Sequence, residues 1–145
     1  MKTNSYQELK ALHQEEVNNF PMEFAFSDKQ FNEGIVKLGL TPSDTDQVYF
    51  IGGCGFIKKT DAQEFHNMGS RHAEEMRQAI EADITGNNFI YDMFNYELAN
   101  HEYGYTGSVS QTLDALSMTY EEIEADQRLL IALQKACEYQ MEQDY

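Results

Sequence analysis

From Thr60 to its end the chain contains no proline, and apolar residues return at helical spacing throughout. That combination constrains the fold more than any single motif. A proline-free run with an apolar period near 3.6 residues folds as successive helices, whose stripes must then be buried against one another. Thr60 with Gln63 reads as a capping box opening the first of these helices. Its stripe is Phe65, Met68, His72, Met76, Ala79 and Ile80, and it ends near Gly86. The segment "NNFIYDMFNYELANHEY" follows, with Phe89, Ile90, Met93, Phe94, Glu97, Leu98 and His101 on its inner face. "GYTGS" breaks the chain, and "SQTLDALS" makes a short helix. A last helix, capped by Thr119 and Glu122, uses Ile123, Leu130, Leu133, Cys137 and Met141.

The first 60 residues have a different character. Tyr6, Leu9, His13, Val17 and Phe20 form one helical stripe that Pro21 stops, and "MEFAF" alternates as a short strand. Ser27 and Gln30 read as a second capping box, opening a helix through "FNEGIVKL" to a left-handed cap at Gly39. "VYFIGGCGFIKK" places two β-rich runs around a glycine turn, which is a hairpin that "MEFAF" joins as a third strand. The reading is α+β in a single domain over residues 1–145: a small N-terminal antiparallel or mixed sheet of about three strands within 1–60, and a mainly helical body over 61–145. A chain of 145 residues is long enough for one core, burying about 68–70% of its unfolded surface.

Charge divides along the same line. Residues 1–60 carry eight acids and six bases, net −2, while residues 61–145 carry seventeen acids and four bases, net −13. Such a field repels nucleic acid and anionic lipid and attracts a basic partner, so neither direct nucleic-acid binding nor membrane association is expected. No apolar run reaches the roughly 18–20 residues that span a bilayer, and "MKTNSYQELK" lacks the apolar region of a secretory signal. A cytoplasmic location is expected. Cys54 and Cys137 make neither a metal-binding pair nor a disulfide framework, so both are expected as free thiols.

Several arrangements suggest chemistry. "GGCGF" offers Cys54 as a nucleophile, but hairpin turns need glycine in any case, and the lysine-Ser/Thr ending of a phosphate loop is missing. If the helices on either side of Gly86 form an antiparallel hairpin, His72 and His101 sit at one level with Glu97 one turn away. This alternative set would suit zinc, iron or manganese and a small metal-dependent enzyme. The di-iron spacing Glu-x-x-His is absent, because Glu97 and His101 are four apart. Buried His and Glu also satisfy each other by hydrogen bonding, so no cofactor is assigned. "SQTLDALSMTYEEIEAD" has a helix-turn-helix rhythm, yet its second helix offers acids where a DNA reader needs Arg, Lys, Asn or Gln.

Glu121, Glu122, Glu124 and Asp126 carry the strongest signal. Caps and the helix dipole account for the first two. Glu124 and Asp126 lie further in, and the like-charged pair Glu122 and Asp126 at i,i+4 is unfavourable by about 0.2–0.5 kcal/mol. Glu74, Glu75, Glu81, Asp83, Asp92, Glu97, Glu102 and Asp114 add to this surplus. Carboxylates on successive turns stand about 5.4 Å apart, similar to backbone phosphates, so an acidic helix can occupy a basic nucleic-acid groove. Tyr91, Tyr96, Tyr103, Tyr105 and Tyr120 would anchor the contact between the charges.

The stretches "EFAFSDKQF", "GFIKKTDAQEFHNM", "FIYDMFNYELANHEY" and "TLDALSMTYEEIEAD" together resemble a family of small acidic proteins. These are encoded on conjugative elements, plasmids and phages of Gram-positive bacteria. The likeness spans nearly the whole chain. It implies a setting in which such proteins are often anti-defence factors, of the antirestriction or anti-CRISPR type. The expectation is therefore a non-enzymatic inhibitor of a basic nucleic-acid-handling protein, such as a CRISPR effector nuclease or a restriction enzyme. Its contact set is expected to be Glu102, Tyr103, Tyr105, Tyr120, Glu121, Glu122, Glu124 and Asp126. An accessory protein whose acidity serves only solubility is the third reading.

Overall fold

A computed structural model describes residues 3–143. Its elements run α1 (Ser5–Asn18), β1 (Glu23–Phe24), α2 (Asp28–Lys37), β2 (Val48–Gly52), β3 (Gly55–Lys58), α3 (Ala62–Ala82), α4 (Phe89–Asn100), α5 (Tyr103–Thr106), α6 (Ser110–Ala115), α7 (Tyr120–Glu124) and α8 (Gln127–Glu142). The fold is α+β, with the antiparallel three-stranded sheet near the N-terminus and helices after it. The chain forms two compact units, Gln14–Glu74 and Met1–His13 with Glu75–Tyr145, so α1 and α3 contribute residues to both.

In the unit Gln14–Glu74 the sheet order is β1-β3-β2. The β2–β3 hairpin turns on Gly53 (φ 59°) and Cys54 (φ 64°), two successive left-handed residues whose twist matches that of the flanking strands. Ser27 caps α2 by accepting from the Gln30 N–H at 3.2 Å, and the Gln30 side chain accepts from the Phe26 N–H at 2.7 Å. The helix closes with the two bonds of a Schellman motif. Gly39 N–H donates to Val36 and Leu40 N–H to Ile35, with Gly39 at φ 86°. Ile35 and Leu38 of α2 pack with Val48 and Phe56 of the sheet. Gly34 permits this approach, since a Cβ there would lie 2.8 Å from the Phe56 ring.

In the other unit α4 is the central helix. Phe89, Ile90, Met93, Phe94 and Leu98 pack with Leu129, Ala132, Leu133 and Ala136 of α8, and Tyr6, Leu113 and Ile123 complete the cluster. Each large side chain buried there contributes about 1.5–3 kcal/mol. The expected antiparallel pairing across Gly86 is replaced: α4 takes α8 as its principal partner, while α3 supplies the partly buried Met76, Ala79 and Ile80.

Two local expectations also change. Thr60 sits in a 3-10 turn, Lys59–Asp61, that leads into α3, so the capping box expected there does not open the helix. The single helix expected from Thr119 is divided in two. Thr119 does cap α7, accepting from the Glu122 N–H, but Ala125 and Asp126 end it and Asp126 caps α8.

Candidate partner-binding face

The acids expected as a uniform anionic surface fall into two groups. Four of them are internal fittings. Asp83, 5% exposed, accepts from the N–H groups of Gly86 (3.0 Å), Asn88 (3.0 Å) and Ile90 (2.9 Å), and so caps the start of α4. Asp92 caps α1 from across the core, accepting from Ser5 N–H at 3.0 Å and Ser5 Oγ at 2.8 Å. Glu97, 2% exposed, accepts from the Tyr6 hydroxyl at 2.8 Å and from Lys10 Nζ at 3.3 Å. Burial and then Glu97 push the Tyr6 phenol well above its ordinary value. Asp126 accepts from Arg128 N–H at 3.0 Å and from the Arg128 guanidinium at 2.8 Å, which holds its carboxyl below the usual range.

Asp126 thus has a structural role within the protein, as the cap of α8 and the partner of Arg128. The like-charge conflict with Glu122 disappears with it, because the helix breaks between them and Arg128 neutralises Asp126. Glu75 is likewise engaged, with His13 at 2.8 Å, and Glu81 pairs with Arg77.

The second group faces outward. Glu102, Asp114, Glu121, Glu122 and Glu124 are exposed, and no Lys or Arg occurs between Arg77 and Arg128. On α7, the fully buried Ile123 turns inward and anchors the turn, which leaves its glutamates in solvent. Tyr105 is 82% exposed and Tyr120 49%. Tyr103 and Tyr120 meet at one cleft of about 570 Å³, with Val109, Leu130, Cys137 and Glu138 also lining it. Of the five tyrosines expected as surface anchors, Tyr91, Tyr96 and Tyr103 are instead partly buried against the core. Exposed acids on the same short helices as a tyrosine-lined cleft of mixed polarity suit docking of a basic protein segment.

Catalytic and metal readings find less support. His72 pairs with Glu16 at 3.3 Å, Glu97 is committed to Tyr6 and Lys10, and His101 ends α4 as its C-cap. Among the described residues no group of three or more His, Cys, Asp or Glu is placed to hold a metal ion. The trio considered from the hairpin register is thus not assembled among the described residues, where His72 pairs with Glu16 and Glu97 with Tyr6 and Lys10. Cys54 is exposed at the hairpin tip beside Phe26, Phe31, Phe50 and Phe56, with no histidine lining that cleft. Burial pushes the Cys137 thiol up, against the lowering effect of its hydrogen bond with Tyr103, so it is protonated at neutral pH. At six and five residues, α6 and α7 are too short for a groove-reading pair.

Two surfaces were not foreseen from the sequence. Phe24, Phe26 and Phe50 are 56%, 77% and 65% exposed beside the sheet, although "MEFAF" and "VYFIG" read as strands with one buried face. The other is a pocket between the start of α1, α4 and the end of α8, whose residues are far apart in the chain.

Among the described residues no helix is long and apolar enough to cross a membrane. No curated protein and no solved structure matches the chain. A family model matches residues 5–139, nearly the whole length over which the two units are built. The chain belongs to that family, DUF7659, a family of unknown function.

Proposed function

We propose that this protein is a non-enzymatic binding inhibitor whose acidic helical face occupies a basic, nucleic-acid-handling surface on a partner protein. A CRISPR effector nuclease or a restriction enzyme is the most concrete partner class. One observation carries the reading: once the internally committed acids are removed, Glu102, Asp114, Glu121, Glu122 and Glu124 still stand in solvent on or next to α5–α7, the helices whose Tyr103 and Tyr120 line one cleft. The contact set is Glu102, Tyr103, Tyr105, Tyr120, Glu121, Glu122 and Glu124.

The test is a pull-down from host lysate at low salt, repeated after nuclease treatment and at raised salt. The partner should be retained after nuclease, lost as salt rises, and displaced by added duplex or guide RNA. Retention that is indifferent to salt and to nucleic acid would refute the mimicry.

A further inference from the structure

The pocket bounded by Thr3, Asn4, Tyr91, Asp92, Asn95 and Tyr139 holds about 350 Å³, near the lower end of small-ligand sites. Its polar groups are unequally occupied. Asn4 is spent: its amide donates to the Asp92 carbonyl at 3.0 Å and its oxygen accepts from Gln7 N–H at 2.8 Å. The Asn95 oxygen accepts from Gln140 at 2.6 Å. Asp92 is 7% exposed, and both its side-chain bonds, from Ser5 N–H and Ser5 Oγ, end on Oδ2. Its Oδ1 has no hydrogen-bond partner among the described residues.

The Asp92 carboxylate lines the pocket with one oxygen not bonded within the described residues, and two tyrosines line the same space. Nothing cationic from the described chain lines the pocket. An anion would meet the Asp92 charge. A neutral donor could satisfy Oδ1 but would gain nothing from the ring quadrupoles, whereas an organic cation gains from both. A metal ion would find only one carboxylate among the described lining residues.

We propose that this pocket binds an organic cation, an alkylammonium or guanidinium head group, with Asp92 as the counter-charge and Tyr91 and Tyr139 as the aromatic walls. Burial, and then the nearby Tyr139 and Asp92, raise the Tyr91 phenol, so that ring adds no competing anion at neutral pH. The site shares no residue with the α5–α7 face, so it stands whether or not that face binds a basic protein.

The test titrates the full chain, at constant ionic strength, with butylammonium and butylguanidinium, against butanol as neutral control and butyrate as anionic control. Binding is read by two-dimensional NMR. The expected result is saturable binding of the cations alone, with shifts confined to the neighbourhood of Tyr91, Asp92, Asn95 and Tyr139. Asp92→Asn, which keeps an oxygen for Ser5, and Tyr139→Leu, at a half-exposed position, should each weaken binding by about tenfold. N-acetyl-lysine amide and N-acetyl-arginine amide separate the sources. Binding as tight as the free amines assigns the head group to a protein side chain, and exclusion of the capped forms assigns it to a free amine. Cation binding no stronger than butanol, shifts scattered over the acidic surface, or unchanged binding by a folded Tyr139→Leu protein would overturn the site.

Discussion

The Asp126 carboxylate grips the Arg128 guanidinium at 2.8 Å, and that guanidinium in turn donates to the carbonyls of Ile80 at 3.1 Å and Asp83 at 2.8 Å, at the end of α3. One acid and one base therefore start α8 and finish α3. In sequence they look like one more acid in an anionic run and the base that happens to follow it.

Replacing Asp126 should accordingly separate stability from binding. Asp126→Ala should lower stability by about 0.5–2 kcal/mol through loss of the α8 cap, while partner retention is unchanged in protein that remains folded. The combined change Glu121→Gln, Glu122→Gln and Glu124→Gln should do the opposite, weakening retention at low salt with little change in the melting temperature. Thermal melts and pull-downs on both variants check the pair.

Asp83 sets an acid limit on the fold. Burial pushes its carboxyl up, but donation from Ile90, Asn88 and Gly86 outweighs this and leaves it below the ordinary range. Since the folded value lies below the unfolded one, its contribution is fully present above the unfolded value. It is lost as pH falls through the folded value. Asp83→Asn should cost about 1–3 kcal/mol at pH 7, and the gap to the parent should narrow below about pH 4. Urea midpoints measured across that range test both parts.

Two glycines provide a matched comparison. Both need a left-handed backbone, Gly39 at φ 86° and Gly86 at φ 81°, but a Cβ at Gly39 meets nothing within 4 Å whereas one at Gly86 lies 2.8 Å from the Arg128 carbonyl oxygen. Gly39→Ala should cost about 1–2 kcal/mol from conformation alone. Gly86→Ala should cost about 2–4 kcal/mol, because the backbone of α8 must also shift. Equal losses in chemical denaturation would show that the close approach is unimportant.

Tyr6 and Glu97 form a buried pair that joins α1 to α4. Tyr6→Phe removes the donor and leaves the Glu97 carboxylate, 2% exposed, with weaker company, so about 1–3 kcal/mol should be lost. Changing Glu97→Gln together with Tyr6→Phe should cost less than the sum of the two single changes, as a double-mutant cycle would reveal.

Local chemistry was legible where neighbours in sequence decide it. The Ser27 box, the Gly39 terminus, the glycine hairpin around Cys54 and the cap at Thr119 all form as their residue types require, since each depends on bonds reaching only a few positions. The α+β division and the stripes that make up the cores follow from periodicity, which is also local. The break at Asp126 was readable in principle, because Asp followed two residues later by Arg is a capping and pairing signal. It was obscured by a continuous apolar stripe.

Partner choice among the helices was decided only in three dimensions. Periodicity says which face of α4 is buried, but not that α8 covers it. In the structure Phe94 and Leu98 share one buried core with Ala132 and Ala136 of α8. The fate of each carboxylate was equally hidden, for a glutamate beside a tyrosine 91 residues away and one facing water are the same letter. Composition determined that this protein is anionic; tertiary packing determined which of its charges hold it together and which are left to meet another molecule, because a charge can be neutralised only by what the fold brings beside it.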